Sequence, residues 1–101
     1  MSYFVVTTEQ GPAWDDTLSM REQAEWAGHA VYMNGISDDG FVALGGPIAG
    51  GARHRARLIV KADSEEEIRS RLAADPWAEM GLLVIESIEE WEVLLGDDSE
   101  T

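Results

Sequence analysis

The run Tyr3-Phe4-Val5-Val6-Thr7-Thr8 is dense in aromatic and β-branched residues and stops at Gly11-Pro12, which predicts a strand on a partly buried pleated surface over residues 3–8. No proline interrupts residues 18–37, and Trp26, His29, Ala30 and Met33, continued by Ile36, follow the spacing of one helix face. A second stripe, Met20, Ala24, Ala27 and Val31, points elsewhere on the same cylinder and predicts cover from another direction, such as a partner subunit. Asp38-Asp39-Gly40 closes this helix. Residues 41–44 then read as a short buried strand, Gly45-Gly46-Pro47 with Gly50-Gly51 as a loop, and residues 57–62, centred on Leu58-Ile59-Val60, as a third strand. Ser64-Glu65-Glu66-Glu67 is a capping box whose carboxylates suit the positive end of a helix, with Ile68 and Leu72 as its buried edge. Pro76 disfavours helical geometry at Asp75, so this helix is expected to stop there or slightly earlier. The apolar runs 82–85 and 91–95 predict one long bent strand or two short ones.

The resulting order, strand-helix-strand-strand-helix-strand, is that of an α+β, ferredoxin-like βαββαβ sandwich. Two helices cover one face of the sheet, and burial of the other against a twin sheet would make a dimeric α/β barrel. A length of 101 residues and a hydrophobic content of 45% suit one domain, expected over residues 1–96, with a flexible acidic tail over 97–101. Charge narrows the partners. Seven basic against twenty acidic residues leave a net charge of −13, which repels nucleic acid and anionic membrane surfaces. There is no cysteine, so disulfides and thiolate chemistry do not enter. The first residues lack a basic region and a long apolar run, and a cytoplasmic location is the expectation.

His29 and Asp75 are the candidate catalytic pair. A carboxylate that fixes one tautomer of an imidazole is a common way to build a general base near neutral pH. If the second helix runs to the proline, the spacing from Ile68 through Leu72 places Asp75 on its inward face, where helix stability has no use for a negative charge at the C-terminal end. The plain alternatives are a core-edge histidine with satisfied nitrogens and an Asp-Pro turn. Gly46 and Pro47 are candidate ligand contacts in a loop that otherwise serves a hairpin. Pro76 and Trp77 qualify by standing beside Asp75, whereas Trp26 and Phe41 read as core and Trp14 as a weaker aromatic candidate. Arg55 belongs to the basic cluster Arg53-His54-Arg55 and Arg57, which could select a carboxylate or simply balance nearby glutamates. With two histidines and no His-x-x-x-His spacing, no metal and no cofactor are expected. A nucleophile elbow is also lacking.

These residues, taken in order, resemble the YCII-related (YciI-like) family of the dimeric α/β barrel superfamily. The likeness rests on the first strand, on His29 in the first helix, and on Gly40 leading into Gly45-Gly46-Pro47. It continues through Asp75-Pro76-Trp77 with Gly81 to the Ile88…Trp91 ending. Gly11-Pro12-Ala13-Trp14-Asp15 and Met20-Arg21-Glu22-Gln23 resemble a subgroup. The resemblance implies dimerisation through the sheets and a site built on His29 and Asp75; some relatives resemble dehydrochlorinases of ring-cleavage pathways. One departure stands out: where the family often has an arginine one helical turn before the histidine, this chain has Trp26, and Arg21 lies eight residues upstream of His29. The expected function is a cofactor-independent lyase, isomerase or dehydrochlorinase-like enzyme acting on a small organic acid. The alternative is a non-catalytic dimeric module that binds a small ligand or another protein.

Overall fold

The computed structural model describes residues 1–96, so the expected tail at 97–101 lies outside the described residues. Four strands form one sheet in the order β2-β3-β1-β4, with β1 Ser2–Gln10, β2 Val42–Pro47, β3 Arg55–Ala62 and β4 Leu83–Trp91, each antiparallel to its neighbours. Helix α1 Trp26–Asp38 connects β1 to β2, and α2 Glu65–Ala73 with the one-turn α3 Pro76–Glu79 connects β3 to β4. This is the ferredoxin-like arrangement, with each strand pair of a split βαβ unit separated by a strand of the other.

Alternation decides what each strand buries. Phe4 and Val6 on β1 face the helices together with Leu58, Val60 and Ala62 on β3, and with Ile36, Phe41, Val42, Ile68 and Leu72 they form the core. Val6, Val60 and Ile68 are wholly buried, each worth about 1.5–3 kcal/mol as an apolar side chain removed from water. The opposite face carries Val5, Ile59 and Leu44 in register, and Leu44 is 72% exposed.

Four boundaries differ from the sequence expectation. The first helix begins at Trp26 rather than near residue 18, because Met20–Glu22 form a single 3-10 turn and Glu25 adopts a left-handed backbone with φ of 58°. The buried Gln23 explains the break: its amide receives Asp15 N–H and donates to the Asp15 and Leu18 carbonyls, bonds that a helix through this segment would forfeit. Within the chain the second stripe is not covered: Ala24, Ala27 and Val31 are exposed. Strand β2 continues through Gly45 and Gly46 to Pro47, permitted because it is an edge strand where a missing N–H breaks no central ladder. The last strand is single. Thr7 pairs with Ser87 and Thr8 with Ile85, so Glu86 is the extra residue of a bulge, and Val93 to Leu95 lie beyond the strand.

The fourth difference concerns Asp75. Helix α2 ends at Ala73, and Asp75 opens α3, accepting a hydrogen bond from Trp77 N–H at 3.0 Å with Pro76 in the first helical position. Its charge therefore sits at a helix N-terminus, where it stabilises, and not at the C-terminal end of α2 as the sequence predicts.

Candidate active site

The two segments that carry His29 and Asp75 meet where α1 has Gly28. A Cβ built there would meet Pro76 Cγ at 3.4 Å, an ordinary van der Waals distance, so α3 packs directly against this part of α1. The neighbours of that contact, His29 and Asp75, are thereby brought together: His29 Nδ1 donates to Asp75 Oδ2 at 2.8 Å and lies 3.0 Å from Oδ1. Both side chains are largely shielded, at 13% and 6% exposure. The carboxylate is thus shared between the imidazole and the Trp77 backbone, which leaves Nε2 as the histidine nitrogen still able to act as a base.

Trp77 holds this pair from beneath. It is wholly buried, its indole N–H donates to Ala24 O at 2.7 Å, and its ring lies flat on His29 with centroids 3.8 Å apart and 8° between planes. The same hydrogen bond pins the turn before α1. Trp26, expected in the core, instead stands half-buried against both rings, 5.7 Å from His29 and 5.6 Å from Trp77. Phe41 is buried as expected.

His29, Asp75, Trp26 and Trp77 line a cavity of about 630 Å³ between the helices and the inner face of the sheet, a volume suited to a small organic molecule. Gly46 and Pro47 line it from β2, and Thr8, Ala56 and Leu58 from the sheet floor. Pro76 packs toward Gly28 and is not part of the wall.

Arg55 lies elsewhere. It projects from the outer face and pairs with Glu86 at 3.1 Å, while Arg53 reaches Glu9 at 3.8 Å and Arg57 donates to Thr7 Oγ1. The residue of that cluster that enters the cavity is His54, stacked on Trp14 with centroids 4.3 Å apart. Strand alternation could have shown this: positions 54, 56, 58 and 60 share a side, and Leu58 and Val60 are core, so Arg55 and Arg57 had to point outward. Burial holds the His54 imidazole below its ordinary histidine range, with the positive charge available to His29 acting in the same direction. Arg21 also lines the cavity, its guanidinium 5.6 Å above the Trp26 ring.

Among the described residues no helix is long and apolar enough to cross a membrane, and no group of three or more histidine or carboxylate side chains is placed to share a metal ion. No protein-family description matches the chain, and no curated protein matches it. Among solved structures it is similar to 5-chloro-2-hydroxyhydroquinone dehydrochlorinase (TftG) from Burkholderia phenoliruptrix AC1100, determined in complex with 2,5-dihydroxybenzoquinone. The sequences are 24% identical, the TM-score is 0.66, and the match covers 88% of this chain and 92% of that one, a likeness that shows a common fold.

Proposed function

We propose that this chain is a cofactor-independent enzyme of lyase or isomerase type, of the YCII-related family and dehydrochlorinase-like, acting on a small planar organic acid. The observation that carries the reading is the His29–Asp75 hydrogen bond in the wall of a ligand-sized cavity. Had packed apolar atoms separated the two, a binding module would have been favoured instead.

In this reading Nε2 of His29 removes a proton from a hydroxyl or carbon of the substrate, and Asp75, as a positioning residue, holds the tautomer and balances the imidazolium that forms. Loss of HX then proceeds from the keto tautomer of a hydroxylated ring, in which the carbon bearing X also carries hydrogen: a hydroxyl proton passes to His29, the freed electron pair forms the new carbonyl and shifts the ring double bond onto that carbon, and X leaves as the anion. Trp26, half-buried in the cavity wall, offers an aromatic surface to such a ring. Arg21 supplies the charge for an acid. Its guanidinium makes no ion pair with a carboxylate among the described residues, in a chain with twenty acidic side chains, and its contact with Trp26 places it at the cavity wall. A homodimer formed through the outer sheet face is part of the same proposal.

The test is release of halide from chlorinated hydroxyhydroquinones, followed in the native chain and in His29→Ala and Asp75→Asn. Each substitution is expected to lower turnover by about 10²–10⁴-fold, the range for a positioned acid–base group, with the fold retained. Full activity in either variant removes the pair from the mechanism. Tight binding of these compounds with no turnover by the native chain would favour the non-catalytic module.

A further inference from the structure

The two histidines of this chain stand at the ends of one aromatic array. His29 lies flat on Trp77, Trp77 meets Trp14 edge-on at 5.5 Å and 85°, and Trp14 lies flat on His54 at 9°. The array is fixed by hydrogen bonds from the Trp77 indole to Ala24 O, from His54 N–H to the Gln10 side chain, and from Ala13 N–H to Gly81 O. Both imidazoles line the same cavity. His54 is half-buried, yet among the described residues no hydrogen bond reaches either of its ring nitrogens. A ring kept only to stack on Trp14 would be served as well by an apolar aromatic, whereas the His54 ring nitrogens are not sealed from solvent and can meet a ligand in the cavity.

We propose that His54 is a second ligand-contacting residue of the cavity, its ring N–H donating a hydrogen bond to the oxygen or halide that gathers negative charge as His29 takes a proton. The inference rests on the function proposed above and deepens it. His29 has a carboxylate to balance a positive charge and His54 has none, so two like side chains take opposite roles. Burial supports the division by keeping His54 uncharged. The other ionisable groups in the wall are Asp75, Arg21 and Arg69, and Glu9 on β1 is engaged by Arg53. His54 keeps its own proton throughout. The proton lost by the substrate rests on His29, and the leaving group carries away its bonding pair.

The experiment uses the full chain and 2,5-dihydroxybenzoquinone as probe, with nitrogen-15 spectra of both imidazoles, calorimetric binding, and halide release. His54→Phe, which preserves the stack, is expected to weaken binding about tenfold and to slow halide release about 10²-fold, as for loss of one donor to developing negative charge. His54→Gln, which keeps a donor, should recover part of each. Wild-type binding and turnover in His54→Phe, or a probe-induced change at His29 alone, overturns the proposal. If the probe moves neither imidazole, the ligand class of the proposed function fails, and the pH titration of His54 decides the rest: a midpoint raised by His29→Gln supports a shared cavity, and an unmoved one overturns it.

Discussion

Asp75 serves two partners at once, and substitution separates them. Asparagine caps a helix about as well as aspartate, so Asp75→Asn should keep the bond to Trp77 N–H while removing the charge that faces His29. Unfolding by denaturant is expected to show little change for Asp75→Asn and a loss of about 0.5–2 kcal/mol for Asp75→Ala, the usual cost of an N-cap. Turnover should fall in both. Equal stability of the two variants would mean that the cap contributes nothing. His54 makes a pH prediction. Its folded-state value is depressed, so the unfolded chain binds a proton more readily. The stability it contributes is complete above the ordinary histidine value of about 6.5 and is lost as pH falls through the folded value. Chemical unfolding followed from about pH 8 to pH 5 should show a shallower decline in His54→Gln than in the parent; an unchanged slope assigns the effect to other groups.

The loop that delivers Trp14 depends on one close approach. A Cβ at Gly11 would lie 2.2 Å from the Gly81 carbonyl oxygen, a backbone atom that cannot swing aside, and Gly11 N–H and Ala13 N–H bind the carbonyls of Leu82 and Gly81. Gly11→Ala is therefore expected to cost about 1–3 kcal/mol, as overpacking does, and to displace Trp14 from His54. Thermal unfolding and tryptophan fluorescence check the two parts, and an unperturbed spectrum would show that the loop yields without moving the ring. The same segment shows where periodicity misleads. Met20 and Ala24 fit a helical stripe, but the Gln23 amide is better satisfied in a loop, so tertiary hydrogen bonds overrode the pattern. In β3 the period of two was sound, and it assigns Arg55 outward and His54 inward once Leu58 and Val60 are known to be core.

Helices cover one face of the sheet only. Leu44 and Trp91, 72% and 45% exposed, lie on the outer side with Val5 and Ile59, an apolar patch between Arg57, Lys61 and Glu89 that a second copy would bury. Light scattering is expected to give about twice the 11.1 kDa of the chain, and Leu44→Glu should shift the population toward monomer. Because each copy carries a charge of −13, added salt should tighten the association by screening repulsion. A mass of one chain at every concentration and ionic strength would exclude this dimer.

Local chemistry in the chain was enough to determine the element order, hence the ferredoxin-like topology, and the two residues worth pairing. Strand alternation, the Ser64 capping box and the Pro76 break act over a few residues and are legible without a partner. Only the tertiary structure decided that His29 and Asp75 meet, that Trp26 leaves the core for a cavity wall, and that Trp14 stacks on His54. Each of those outcomes hangs on a contact between segments far apart in the chain, such as His29 with Asp75 or Trp14 on His54, whose geometry no local pattern encodes.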